Sequence, residues 1–424
     1  VDGNIGGELW YTDAFSLSGV IGGEFESTDF TQVSDPASAS GIVSGGSGGD
    51  DVFADRERTS LYAEAGFDLP GVGLEFTGAV RYDEYDQNGI TTVGITNQSD
   101  NKTFDDTTWQ FTAAWRPLDN LLIRGVVGTA FRAPSMDELF ASRSFGFPAA
   151  YDYYYCDTQG NPDGDLAYCN FADQPQILTF SGGNPTLEPE HADTMSFGGV
   201  WQVTDDLSLE VQYYDIEYTD RIESLSLSDI LLLNQQAGGN TPAVTRQANG
   251  KIESIQAGLQ KTAELNTNGV DIMARYGLGT ERAGNFTFDF QWTHVLEYER
   301  VTTDPLTGDP ETTDLLGNYD FPEDRATFQA GWSLGDIYAS WRMNYIGEQS
   351  PSGSSGEKLG DVMYHNVQGG YYLPWDGEIT VGVRNVFDQE IDTFYSGQQA
   401  WRGFNYFLYN PEGRTWYVRY KQNF

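Results

Sequence analysis

The sequence predicts an all-β protein, an antiparallel transmembrane β-barrel of the outer-membrane type, and three observations lead there. Aromatic residues make up 14% of the 424 residues, with 25 Tyr, 25 Phe and 10 Trp beside 49 Gly and only 5 Met. Strands and turns use such residues, whereas helical domains are written in periodic Ala, Leu, Glu and Lys. Apolar and polar side chains alternate with period two in segment after segment, as strands with one apolar face require. Short and long connections then alternate strictly between those segments, which is the pattern of barrels with short turns on one side of a membrane and long loops on the other.

The segments bear this out in chain order. A first strand is expected at about Gly6 to Ala14, and alternation runs through Leu74 to Tyr82 and Trp109 to Trp115. Leu121, Ile123, Gly125, Val127 and Thr129 then share one face, against Leu122, Arg124, Val126, Gly128 and Ala130. Met195 to Val203 continues the pattern. Leu207 to Arg221 changes phase between Tyr213 and Tyr214, which predicts a bulge or the point where the strand leaves the membrane. Val270 to Leu278, Phe286 to Tyr298, Ile337 to Tyr345, Ile379 to Phe387 and Trp416 to Phe424 complete the series. Trp416, Val418, Tyr420 and Phe424 are expected to face lipid.

Tight turns rich in Pro, Gly, Asp and Asn fall at Leu69–Gly71, Pro117–Asn120, Thr204–Asp206, Gly279–Gly284, Leu334–Asp336 and Pro374–Gly377. Long polar connections are expected around 27–57, 86–106, 131–193, 222–265, 299–322, 347–362 and 388–413. Compact soluble domains seldom carry so many long loops. The count is about fifteen strands of roughly 9 to 15 residues, long enough for a tilted crossing. If the last strand runs toward the periplasm, the parity of the connections places Val1 on the extracellular side. The chain is then expected to be the C-terminal portion of a larger barrel, unless residues 222–265 hide further strands. Val1 opens without Met or an apolar leader, which fits either a removed signal or a fragment.

Composition also bounds function. The mean hydropathy is −0.45, and no apolar run approaches the roughly 18 residues of a membrane helix. A barrel escapes that test because only alternate residues meet lipid. The formal charge of −40 repels phosphate backbones and argues against nucleic-acid partners; a solvated acidic surface accounts for it first, ahead of divalent cations, cationic ligands or a saline habitat. His191, His294 and His365 are scattered without ligand spacing, so no zinc site is expected. Cys156 and Cys169 stand close enough in sequence for a disulfide, with two free thiols as the alternative. No P-loop, HExxH, nucleophile elbow or ordered Ser/His/Asp set is present, and an enzyme is not expected.

Four ordered stretches carry a family resemblance. Gly128 to Phe140 (GTAFRAPSMDELF) includes Phe131, Arg132, Ala133, Pro134, Ser135 and Glu138, the last two at capping-box spacing. Gly182 to Glu190 (GGNPTLEPE) includes Asn184, Pro185 and Glu190. Gly269-Val270-Asp271 opens a later strand. Asn385-Val386-Phe387-Asp388, Gly413-Arg414 and the terminal Phe424 close the chain. Together these resemble TonB-dependent outer-membrane receptors over nearly the whole length. The resemblance implies a barrel of the 22-stranded class, whose plug, partner-binding box and first strands are not in this chain. It implies uptake of a scarce or large ligand, a ferric siderophore or an oligosaccharide, energised by TonB and the proton motive force. Partners would be the TonB complex, outer-membrane lipid and lipopolysaccharide, and a small or oligomeric extracellular ligand. A passive porin and a surface-binding barrel are the alternatives.

No cofactor is expected apart from possible calcium in a loop. Candidate ligand contacts are Tyr153, Tyr154, Tyr155 and Asp157 in the longest loop, where aromatic faces beside a disulfide could stack on a ring, or could pack only on one another. Trp401, Arg402, Asn405 and Tyr406 form a second candidate group, with a barrel-rim role as the alternative. Asn161, Asp163 and Asp165 loosely match the start of a calcium loop, against the reading of an ordinary acidic loop. Arg132 is expected to serve as a wall or plug partner.

Overall fold

The computed structural model describes residues 1–40, 42–43, 49, 51–93, 96–142, 144–303, 309–350, 358–391, 404–405 and 408–422. The chain runs through β1 (Asp2–Tyr11), β2 (Ser16–Gln32), α1 (Pro36–Ala39), β3 (Val52–Leu69), β4 (Leu74–Val93), β5 (Thr96–Leu118), β6 (Leu121–Arg132) and α2 (Met136–Phe140). It continues through β7 (Ser144–Gly146), a π-helical turn at Tyr154–Thr158, β8 (Thr179–Ser181), β9 (Glu190–Thr204), β10 (Leu207–Ser224) and α3 (Leu227–Gln236). There follow β11 (Val244–Arg246), β12 (Ile252–Gln256), β13 (Leu259–Thr280), β14 (Gly284–Thr303), β15 (Pro310–Asp314), β16 (Asp324–Leu334), β17 (Ile337–Ile346), β18 (Val362–Tyr372), β19 (Gly377–Arg384) and β20 (Thr415–Gln422).

Fifteen strands pair antiparallel in sequence order as the barrel wall: β1–β6, β9, β10, β13, β14 and β16–β20. The expected tight turns close pairs at one end and the long connections leave from the other, except between β4 and β5, which stay paired to Val93 and Thr96. The register holds the two faces apart. Phe111 lies opposite Val127, Val127 opposite Met195, and Gly125 opposite Phe197, so one apolar face runs unbroken across β5, β6 and β9. That face is exposed along Phe111, Met195 and Phe197. Trp416, Val418 and Tyr420 are 72%, 73% and 56% exposed, as side chains solvated by lipid rather than by a core must be. Phe424 lies outside the described residues. The opposite face is a mesh of hydrogen-bonded charge: Arg58 reaches Glu24 and Glu26, and Arg81 reaches Glu24 and Asp83, which also accepts from Ser60.

Several expected boundaries are corrected. β1 begins and ends earlier than Gly6 to Ala14. Strands outrun 9 to 15 residues: β5 has 23 and β13 has 22. Residues 86–106 are therefore no loop. Val93 pairs with Thr96 and the β4–β5 ladder continues without a break, so this stretch is a paired hairpin that extends the wall strands. One face, with Gln87, Gly89 and Phe104, packs toward α2, while Asp86, Ser99, Asn101 and Thr103 are exposed or half-buried on the other, and the backbone stays paired. β15 folds back on β14 in the same way. The phase change in β10 is no bulge at Tyr213 and Tyr214, where pairing is continuous; the ladder shifts between Tyr218 and Ile222, around Asp220 at φ 59°. Residues 222–265 do hide strands, β11 and β12, but these belong to a separate four-stranded sheet and not to the wall.

Candidate functional site: a two-loop module fastened to the barrel rim

The connection after β6 begins by turning back on itself. Ser135 caps α2 and Glu138 returns the bond to the Ser135 backbone, completing the capping box. Met136, Leu139 and Phe140 are thereby driven into a small core with Val52, Ala54, Phe104 and Leu187, to which Ala133 also belongs. Pro134, buried, offers its carbonyl to the buried Gln87 side chain at 2.9 Å. Phe131 meets Tyr85 edge to face.

The second stretch of the signature returns to this point. Gly183 lies against the Leu139 backbone, and Asn184 donates its backbone N–H to the Glu138 carbonyl at 2.7 Å. The Asn184 side chain accepts from Thr186 across Pro185 and donates to the Leu259 carbonyl. Glu190, almost fully buried, takes an ion pair from Arg132, a hydroxyl from Tyr218 at 2.8 Å and the Ile222 N–H at 2.6 Å. Arg132 also grips Glu138 with two nitrogens. Burial pushes the Glu138 carboxyl up, but Arg132 and the Ser135 donors outweigh it and hold it below its ordinary range. Arg132 is thus a wall partner, and the residues of both stretches form one rim joint tying β6, β9 and β10 to the loops above.

Above the joint, the connections 133–189 and 225–258 fold together. β7 and β8 come from the first, β11 and β12 from the second, and β8 pairs with β12 in parallel. Ala150, Ile177, Ile230, Leu231, Val244, Ile252 and Ile255 form the core of this module. At its centre Asp152 is fully buried and held by Arg246 at 2.7 and 2.9 Å, by the Tyr168 hydroxyl at 3.1 Å and by the Tyr155 N–H at 3.1 Å. Arg246 also donates to Asn234 and Gly250 and lies 4.9 Å from the Tyr154 ring centre. Burial raises the Tyr168 hydroxyl above its ordinary range. Cys156 and Cys169 are joined in a disulfide, with Cα atoms 5.5 Å apart.

These contacts revise the candidate residues. Tyr155 is 2% exposed; it cannot offer a face to a ligand because it is itself module core, edge to face with Tyr168. Tyr154 is covered by Arg246, and Tyr153 packs on the module core. Asp157 is exposed and accepts from the Tyr151 hydroxyl at 2.7 Å, a bond that pushes Tyr151 up to about 12. Between Asp163 and Asp165, which loosely matched the start of a calcium loop, sits the Lys251 ammonium, 2.8 Å from each. Its bonds to them hold both carboxyls below their ordinary range. Asn161 there takes φ 54° at a turn.

The last long connection is pinned at its stem. Asn385, buried at φ 49°, accepts from the Gln389 N–H and donates to the Gln389 and Glu412 carbonyls. Asp388 accepts the Arg414 N–H at 2.6 Å and sits against Gly413, while Phe387 stacks edge-on to His365. Asn405 is buried and donates to Asp320, whose N–H reaches Gln349, which in turn donates to Tyr409. Asn405 is thus a buried support. Trp401, Arg402 and Tyr406 lie outside the described residues.

Asp152, Arg246, Lys251 and Asn234 escaped the sequence reading. The available signal was the apolar run Ile230 to Leu233 inside a connection taken as polar, which marks a loop with a core of its own.

A family profile described as TonB-dependent receptor-like β-barrel matches residues 2–386. The ferric enterobactin receptor of Pseudomonas aeruginosa is similar over 99% of this chain and 53% of that chain, at 16% identity and a TM-score of 0.65. The copper transporter OprC is similar over 99% of this chain and 56% of that one, at 13% identity and a TM-score of 0.57. The ferric-catecholate import receptor Fiu of E. coli K12 matches over 99% and 53%, at 14% identity and a TM-score of 0.55. The chain spans about half the length of these structures, and at such identities the likeness is one of fold.

Proposed function

The chain belongs to the TonB-dependent receptor β-barrel family, and from that premise we propose that it acts in an outer-membrane transporter that takes up a metal chelate, driven by TonB and the inner-membrane proton motive force. The observation that carries the proposal is the family match along residues 2–386. Three features support it. The apolar wall suits lipid and the charged inner face suits a hydrated passage. The two-loop module stands at the long-loop end, where a ligand arrives first. The named structural neighbours handle ferric chelates and copper.

In this mechanism the ligand settles on the module and the rim joint transmits its position to the wall. Arg132, Glu138 and Glu190 keep module and wall in fixed register, so ligand contacts are made on a rigid platform. Work is done by transport, and no bond of the ligand needs to break. A saccharide is the second reading of the ligand, favoured by the exposed Phe171 ring 5.1 Å from Tyr151, a surface on which a sugar could stack.

The test is accumulation of a radiolabelled ferric tricatecholate by cells producing the protein, with and without an uncoupler. Uptake that stops with the uncoupler is the expected result. Uptake at an unchanged rate would identify a passive pore, and uncoupler-sensitive uptake of oligosaccharide alone would select the second reading.

A further inference from the structure

At the rim β5 and β6 separate. Their ladder ends with Gln110 opposite Gly128. Beyond it β5 goes on pairing with β4 as far as Thr96, and β6 goes on pairing with β9 as far as Arg132. A seam therefore opens in the wall between the β4–β5 hairpin and the strands that carry the two-loop module. The Trp109 N–H donates across it to the Thr129 hydroxyl at 3.2 Å, Phe131 meets Tyr85 edge to face, and α2 packs against Val52, Ala54 and Phe104.

One further crossing is made by ionisable groups. His191, opposite Phe131 in the β6–β9 ladder, reaches past β6 and sets its Nε2 3.0 Å from the Asp106 carboxylate of β5. Its other nitrogen, Nδ1, lies 3.9 Å from the Asp220 carboxylate of β10. Asp220 marks a break in that strand: its φ of 59° is left-handed, and the β10–β13 ladder shifts between Tyr218 and Ile222 around it. Above the break β10 runs on to Ser224 and into the connection that builds the module. The imidazole thus stands between the hairpin and the root of the module. The other charged groups on the surrounding strands are Asp105 of β5, Arg132 of β6, Glu190 and Asp193 of β9, Arg221 of β10 and Lys261 of β13. Arg132 is held by Glu138 and Glu190, Arg221 by Glu223, and Lys261 lies 3.2 Å from Asp220. Carboxylate, guanidinium and ammonium groups ordinarily keep their charge between about pH 5.5 and 8, whereas an imidazole changes its own there.

We propose that His191 is a pH-sensitive clasp on this seam. With the ring protonated, both of its contacts are ion pairs and the hairpin is held to the root of the module; with the ring neutral, both ion pairs are lost and the seam loosens. The closed seam is the form that gains from the proton, so closure is favoured as pH falls and relaxed as pH rises. The side chains are partly exposed, His191 by 46% and Asp106 by 30%. The gain is therefore that of a surface pair, about two- to five-fold in the opening equilibrium. Hairpin and module border the same mouth, and the clasp ties its freedom to the acidity of the medium.

The test is hydrogen exchange of the intact protein in detergent at about pH 5.5 and about pH 8, each amide expressed relative to an unstructured chain at the same pH. The Trp109 amide, bonded across the seam, reports closure, and the amides of Ala113 to Trp115 in the paired wall below serve as control. Trp109 should be about two- to five-fold better protected at the lower pH, with the control unchanged. His191→Gln and Asp106→Asn should each abolish that difference. His191→Arg, whose charge is permanent, should keep Trp109 protected at both pH values. No difference in the wild type would overturn the clasp, as would a difference that survives in His191→Gln. Where the control amides of a variant lose protection, its wall has misfolded and His191→Arg decides alone: a pH difference of wild-type size in it would overturn the proposal.

Discussion

Replacing Arg246 with Met should unfasten the two-loop module while the barrel wall stays folded. The guanidinium supplies both charged hydrogen bonds to Asp152, which is fully buried, and it also bonds Asn234 and Gly250. Methionine replaces much of the stem volume but leaves the Asp152 carboxylate with only the Tyr168 hydroxyl and the Tyr155 N–H as donors. Removing one partner of a buried ion pair costs about 3–5 kcal/mol, because the survivor remains desolvated. That loss corresponds to about two to three and a half decades in the opening equilibrium. Hydrogen exchange reads it directly. The amides of Cys156, bonded to the Asp152 carbonyl, and Ile255, bonded to the Leu178 carbonyl, should lose protection by about that factor. Amides of β6 and β9 should not change. Asp152→Asn added to Arg246→Met should recover part of the loss by removing the stranded charge. Unaltered protection at Cys156 and Ile255 in Arg246→Met would refute the claim that this pair holds the module together.

Replacing Cys156 and Cys169 together by Ser opens a cross-link of sequence separation 13; module opening should become easier by about 3 kcal/mol, read by the same exchange or by urea titration. The Glu138 carboxyl is held below its ordinary range, so it contributes stability above the unfolded carboxyl's titration range and loses it as pH falls through the folded value. Thermal unfolding followed downward from about pH 6 should show an acid-sensitive step that Glu138→Gln flattens; an identical pH profile in the variant would contradict this. Asn385→Ala meets both a left-handed backbone and the loss of three hydrogen bonds, whereas Asn385→Gly meets only the second. The Gln389 and Arg414 amides should therefore exchange faster in both variants, with Ala worse by about 1 kcal/mol or more.

The wall was legible because a lipid-facing strand leaves a period-two record: Phe286, Phe288, Phe290 and Trp292 need no distant partner to be recognised. Length was not legible, because Asp86, Asn88 and Asn101 are polar, and polarity says nothing of backbone pairing. The rim joint was half legible. Ser135 and Glu138 announce a cap at local spacing, but Gln87 and Tyr218 reach the joint from other strands and carry no mark of it. The module was hidden for the same reason, since Asp152 and Arg246 stand 94 positions apart and each alone looks like a solvated loop charge. The Tyr cluster stayed open because rings that would suit a ligand suit a small core equally well, and Tyr155 went to the core.

The central claim is that the apolar face lies in a membrane with the two-loop module outside it and the tight turns inside. Cysteine scanning on whole cells tests it most directly, with Glu253→Cys on the module and Asp336→Cys in the β16–β17 turn, both exposed positions. A membrane-impermeant maleimide should label Glu253→Cys on intact cells and Asp336→Cys only after the outer membrane is opened. Labelling of Asp336→Cys on intact cells, or protection of Glu253→Cys, would contradict the account.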